Sequence, residues 1–173
     1  AGLRPDQPPS LIGDIAMLFV LMGPSCTGKS TAASALQKLI GAEVFTGKDY
    51  LRLGLNQNMA WQTFSSKLIC AASDSDISKS VIYIITEKSD LSRLSGVDGA
   101  IKVRFTASAD AILSRFARRM KGNLPPPVEK MLDRQYMAWR DVDADLCVDT
   151  TEERPSETIA QAVLDLTSSA KVS

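Results

Sequence analysis

Ala16-Met17-Leu18-Phe19-Val20-Leu21-Met22 runs directly into Gly23-Pro24-Ser25-Cys26-Thr27-Gly28-Lys29-Ser30, and an Ala- and Leu-rich stretch follows to Ile40. The first segment is apolar and of strand length, far short of the 18 or so residues of a membrane span. The second fits G-x-x-x-x-G-K-[ST] at every specified position. The third reads as an amphipathic helix from about Gly28 to Ile40, closed by Gly41 as a left-handed cap. Charge explains why strand, loop and helix belong together. Glycines let the backbone curl so that successive N–H groups face phosphate oxygens, and the helix adds its positive N-terminal end. Lys29 brings a compact cation to the outer phosphates, and the Ser30 hydroxyl is placed to ligate Mg²⁺. Residues Gly23, Pro24, Ser25, Cys26, Thr27, Gly28, Lys29, Ser30 and Thr31 are therefore expected to hold a nucleoside triphosphate. Cys26 stands at an unspecified position of the motif and reads as a bystander, although its alkylation would block the site.

Outward from the loop, short apolar runs alternate with helix-length stretches, the pattern of βαβ units around a parallel sheet. Strands are expected at 16–22, 42–45, 80–86, 100–106 and 144–149, mostly as continuous apolar runs. A second helical region covers Lys48 to Leu53 and then Met59 to Ala72, with Trp61, Phe64, Leu68 and Cys70 as its buried stripe. Ser108 caps a helix from Ala109 to Lys121, and the break GNLPPP follows at 122–127. Val128, Met131, Leu132, Gln135 and Trp139 then repeat at helical spacing, and Pro155 opens a last helix carrying Ile159, Val163 and Leu166. The expected class is α/β: a five-stranded parallel sheet flanked by helices in three layers, forming a single domain over 14–173. Residues 1–13, with three prolines in the first ten, are expected to form a flexible tail.

Composition narrows the chemistry. Twenty basic and twenty acidic residues cancel, so no global field draws the chain to nucleic acid or to an anionic membrane. Three widely spaced cysteines without a C-x-x-C pair argue against a disulfide framework and point to a reducing cytoplasm. The chain has no histidine, which removes Ser-His-Asp and Cys-His catalysis and His-dependent metal sites. Carboxylates, Lys, Arg, hydroxyls and backbone amides remain.

Two regions could form the other half of a transfer site. In VFTGKDYLR, Asp49 follows the second strand at the carboxyl edge of the sheet, where ligands of open α/β folds bind. It could take a proton from an acceptor hydroxyl or hold water on Mg²⁺; alternatively it opens a helix and favours only the dipole. Arg115, Arg118, Arg119 and Lys121 precede the GNLPPP break, so that about 119–128 would make a short lid and Arg119 would offset transition-state charge. RNA binding is disfavoured because Phe116 is the cluster's one interleaved aromatic residue.

The P-loop, the Asp after the second strand, RFARRMKGN, MLDRQYMAW and VDTTEERPSETI together resemble the small-molecule kinases of the gluconate and shikimate kinase type. Gluconate kinase is the closer pattern, and IITEKSDLSRL resembles its segment after the third strand, with Lys88 and Arg93 at corresponding places. Two features depart from it: the lid reads Gly122-Asn123 instead of Gly-His, and LGLNQNMAWQTF matches the sugar-acid segment poorly. The resemblance implies a three-layer P-loop kinase fold, ATP and Mg²⁺ as cofactors, and Arg115 with Thr151 and Glu152 beside the adenine. Catalysis would rest on Lys29, Asp49 and Arg119, with Ser30 and Asp49 toward the metal. The acceptor would lie among Thr46, Lys48, Asp49, Arg52, Lys88, Arg118 and Lys121.

TGKDYLR is also similar to the Thr-Gly-Asp-x-x-Arg segment of adenylate kinase-like enzymes with Lys48 inserted, which would put Thr46 and Arg52 on a nucleoside monophosphate. Glu87 would assist Mg²⁺, since the third strand lacks the usual Walker B Asp. The expected function is transfer of the γ-phosphoryl group to a hydroxyl of a small polar metabolite, by a monomer or homodimer with neither nucleic acid nor membrane as partner. A nucleoside monophosphate kinase or an ATP-binding module without transfer is the alternative. The GTPase signatures D-x-x-G and N-K-x-D are absent.

Overall fold

β1 (Leu18–Met22) is buried along its whole length because it is paired on both edges and covered on both faces. The computed structural model describes residues 16–73 and 79–170, so the tail expected at 1–13 lies outside the described residues. β1 runs parallel to β3 (Val81–Ile85) on one side and to β4 (Ile101–Thr106) on the other. β2 (Glu43–Thr46) extends the sheet beyond β3, and β5 (Leu146–Asp149) extends it beyond β4. The order is therefore β2-β3-β1-β4-β5, all parallel, and the strand order reverses at β1. Ligands of open α/β sheets bind at such a reversal, outside the carboxyl ends of the strands.

Alternate residues of the strands supply two cores, as a period of two requires. Phe19, Leu21, Ile82, Ile84, Val103 and Phe105 face α1 (Lys29–Ile40) and α6 (Ser156–Ala170), meeting Ala33, Leu36, Ala160 and Val163. Small residues on α1 let it lie close against α6. On the opposite face Leu18, Val20, Met22, Val81, Tyr83 and Ile85 meet α2 (Gln57–Ala72) and Trp139 of α5 (Pro126–Trp139). A third cluster joins Cys26, Ala107, Ile112 of α4 (Ala109–Arg119) and Leu132 of α5. The remaining helix, α3 (Lys88–Ser92), is a short turn after β3. No described helix is long and apolar enough to cross a membrane.

Local chemistry sets the boundaries. Gly41 ends α1 at φ 68°, a left-handed value that glycine adopts without steric cost. The Ser108 hydroxyl accepts the N–H of Ala111 at the start of α4, and the Asn56 side chain accepts that of Met59 at the start of α2. The expected helix at 48–53 is instead a 3-10 turn over Asp49–Leu53. Cys70 is exposed and Trp61 half-buried, contrary to the stripe expected for α2; Ala60, Phe64, Leu68 and Ala71 form it. Their spacing of four, four and three follows the helical period, whereas Cys70 stands two residues past Leu68, on the far side. Leu166 of α6 is likewise only partly covered, and Leu164 is buried. α4 and α5 encroach on the expected break from both ends, because Pro126 takes the first helical position after Pro125, leaving 120–125 between the helices.

Gly23 ties the loop to the sheet. Its N–H donates to Ile85 O of β3 at 3.1 Å, its φ is 148°, and a Cβ built there would lie 2.2 Å from Phe105 O of β4. Backbone cannot yield as a flexible side chain does, so Gly23→Ala should cost on the order of 3 kcal/mol or prevent folding. Urea unfolding checks this, with Gly41→Ala, which meets nothing within 4 Å, as a comparison limited to the conformational cost of its positive φ.

Candidate active site

After Gly23 the chain curls over the carboxyl end of β1 and re-enters as α1. Thr27 Oγ1 donates to Pro24 O at 2.8 Å and Lys29 Nζ donates to the same carbonyl. Lys29 is only 5% exposed. Burial, slightly offset by Cys26 and reinforced by the positive charge of Arg119, brings its pKa down to about 7. Cys26 sits at φ 62°, unusual for a residue with a Cβ, and its side chain packs into the α4–α5 cluster. It is thus buried structure as well as loop.

The opposite wall is made by α4 and the turn after β5. Arg115 donates to Cys26 O at 3.1 Å, to Thr150 O, and to Thr151 O at 3.4 Å. Thr150 Oγ1 donates to Thr27 O at 2.9 Å, so Thr150 and Arg115 clamp the P-loop from one side. The turn itself is held by Asp149, whose carboxylate accepts the side-chain and backbone donors of Thr151 at 2.6 and 2.8 Å. Those two bonds hold the Asp149 carboxyl below the usual carboxylate range. Between these walls lies a cavity of about 470 Å³ lined by Gly28, Thr31, Arg115, Arg118, Arg119 and Arg154 among others.

On the other side of the loop, Gln135 is 6% exposed and bridges three elements. Its Oε1 accepts from Ser25 N at 3.1 Å and Ser25 Oγ at 3.0 Å, and its Nε2 donates to Glu87 Oε1 at 2.8 Å. A second cavity of about 480 Å³ adjoins this bridge, lined by Glu87, Lys88, Ser89, Arg134 and Gln135 among others. Trp139 Nε1 donates to Thr86 O at 2.7 Å and anchors α5 to the end of β3.

The residues expected from the sequence divide into three places. Cys26, Gly28, Thr31, Arg115, Arg118 and Arg119 share the first cavity, which puts Arg118 beside the phosphate loop although it was expected on the acceptor. Lys88 lines the second cavity. Thr46, Lys48, Asp49 and Arg52 lie at the exit of β2, with β3 between them and the P-loop strand. There the Asp49 carboxylate accepts Thr46 N at 2.9 Å and the Arg52 guanidinium lies over the Phe45 ring, 4.8 Å from its centre. Lys121 is exposed at φ 59°, where the chain leaves α4. Arg93, noted only through the kinase resemblance, stacks 3.9 Å over Trp61 and donates to Tyr50 Oη at 2.9 Å. Thr150 and the bridging role of Gln135 were not read from the sequence, because their partners are 123, 110 and 48 positions away.

No protein-family model and no protein of curated function matches the chain. Solved structures do. A protein inferred to be a kinase from Chloroflexus aurantiacus is 20% identical at a TM-score of 0.63, over 89% of this chain and 97% of that one. The shikimate kinase of Acinetobacter baumannii, solved with shikimate, is 18% identical at a TM-score of 0.56, over 92% and 97%. A gluconokinase from Sinorhizobium meliloti is 16% identical at 0.56, over 90% and 93%. The chain has the fold of these P-loop small-molecule kinases. In the three-layer P-loop kinase fold the β1–α1 loop, with Lys29 at its end, occupies the strand-order reversal.

The donors available for a metal are the exposed Ser30 hydroxyl and the Asp49 carboxylate. Among the described residues no three His, Cys, Asp or Glu side chains gather into a metal cage. Hard oxygen donors in this small number suit Mg²⁺, which keeps several waters and is shared with phosphates.

Lys29 generates a prediction. An anion beside Nζ favours the charged form, so nucleotide binding raises a pKa that starts near 7 and takes up about one proton per site at pH 8. Titration calorimetry with ATP in buffers of differing ionisation enthalpy measures this. In the free protein the unfolded state holds the Lys29 proton up to a higher pH than the folded state does. The Lys29 contribution to stability should therefore rise between about pH 7 and the ordinary lysine range, measured against Lys29→Met.

Proposed function

We propose that the protein is an ATP-dependent phosphotransferase that moves the γ-phosphoryl group to a hydroxyl of a small polar metabolite. The observation that carries this reading is the convergence of Lys29 and Arg119. Arg119 lies close enough to disfavour the charge on Lys29, both border the P-loop, and neither is paired with a carboxylate among the described residues. Two cations held against their own repulsion are stabilised by an anion between them, as a migrating phosphoryl group would be.

Lys29 would bind the outer phosphates, and Arg119, at the end of α4 next to 120–125, would meet the γ-phosphoryl group as that segment closes. Arg115, fixed by three carbonyls, offers a flat guanidinium beside the base. Ser30 and, through water, Asp49 would hold Mg²⁺, which when bound neutralises charge on the β- and γ-phosphates. Kinases with this fold act on shikimate and gluconate, and that supports a polar, hydroxyl-bearing acceptor.

A panel of sugar acids, cyclic polyols, nucleosides and nucleoside monophosphates, read by ATP consumption and product mass, tests the reading. Lys29→Ala and Arg119→Ala should each lower turnover by about 10²-fold or more with the melting temperature preserved. Wild-type turnover in both variants would refute the assignment, and activity confined to monophosphates would replace the acceptor class.

A further inference from the structure

We infer that Glu87 is the carboxylate that accepts the proton of the attacking hydroxyl, and that Gln135 positions it. This rests on the phosphotransferase reading and gives that reaction its base. Sheet order supplies the first argument. β3 is hydrogen-bonded directly to β1, whereas β2 lies one strand further out. Neighbouring strands are about 4.8 Å apart, so a residue leaving β3 starts one spacing from the P-loop strand and a residue leaving β2 starts about 10 Å away. Glu87 follows the end of β3 by two residues, and Asp49 follows the end of β2 by three.

The second argument is the bridge. A single buried side chain, Gln135, holds Ser25 of the P-loop at 3.0 and 3.1 Å and Glu87 at 2.8 Å. The position of Glu87 is thereby referred to the phosphate loop itself. Gln135 occupies only Oε1 of Glu87, and Oε2 has no partner in the set of protein hydrogen bonds among the described residues. The carboxylate also lines the 480 Å³ cavity beside Lys88, Ser89 and Arg134, which has room for a small polyhydroxylated molecule. Asp49, in contrast, already has Oδ2 committed to the N–H of Thr46.

The step balances simply. The acceptor hydroxyl gives its proton to Glu87 Oε2 as its oxygen bonds to the γ-phosphorus. The bond from that phosphorus to the β,γ-bridging oxygen breaks, and its electron pair leaves with ADP. In this arrangement Glu87 touches the reacting oxygen, and Gln135 acts only through Glu87.

The test measures Mg²⁺-ATP turnover with whichever acceptor of the panel consumes ATP fastest, water included, together with ATP affinity. Glu87→Gln should lower kcat about 100-fold or more and leave the Kd for ATP within about twofold. Gln135→Leu should lower kcat about tenfold, with KM for ATP little changed, a split that general loosening of the loop would not produce. Asp49→Asn should show a loss that shrinks as Mg²⁺ is raised. Glu87→Gln turning over within threefold of wild type would overturn the inference alone. So would an Asp49→Asn loss that persists at saturating Mg²⁺ and exceeds that of Glu87→Gln. Absence of any Mg²⁺-ATP turnover in the wild-type protein would overturn the phosphotransferase reading and this inference with it.

Discussion

The Gly23–Ser30 loop hangs from a strand that has no free edge, and the rest of the site depends on that constraint. β1 is bonded to β3 and β4, so the chain leaves it between the ends of two other strands, where Gly23 donates to Ile85 O and has no space for a side chain against Phe105 O. The loop can only rise over the sheet and return as α1. Its N–H groups and Lys29 are then directed at one small volume, and the remaining elements hold that volume open from two sides.

On one side Arg115 and Thr150 bind the carbonyls of Cys26 and Thr27; on the other Gln135 binds Ser25. These polar contacts are buried or half-buried, where an unpaired donor or acceptor costs about 1–3 kcal/mol, so the loop is held by groups that also need it. Lys29 is the exception in charge. Its ammonium is bonded to a carbonyl, without a carboxylate partner among the described residues, and burial lowers its pKa toward neutrality. A site with that imbalance favours a polyanion more than a neutral ligand does, which links the packing of the loop to its selectivity.

How much of this was legible in the sequence follows from the range of each interaction. The strand, loop and helix around Gly23 to Ser30 are contiguous, and the glycines, the lysine and the apolar run state their geometry locally. The five parallel strands were readable for the same reason, with ends within two residues of those observed. Cys70 was misplaced because the stripe was assigned without following the helical period through Ala60 and Ala71. The walls of the site were less legible. Gln135 looks like any polar residue on an amphipathic helix until α5 is laid across the ends of β1 and β3, and Thr150 is one of two adjacent threonines. Their roles come from tertiary placement. Asp49 and Glu87 are both acids following strands, and only the strand order distinguishes their distances from the loop.

The central claim is that the cavity over the Gly23–Ser30 loop holds the triphosphate of ATP. A structure determined with AMP-PNP and Mg²⁺ tests it most directly. The account predicts β- and γ-phosphate oxygens bonded to the loop N–H groups, with Lys29 Nζ moved from Pro24 O to the phosphates and Arg119 facing the γ-phosphate. A nucleotide bound elsewhere, or a loop whose Lys29 stays on Pro24 O at saturating AMP-PNP, would contradict it.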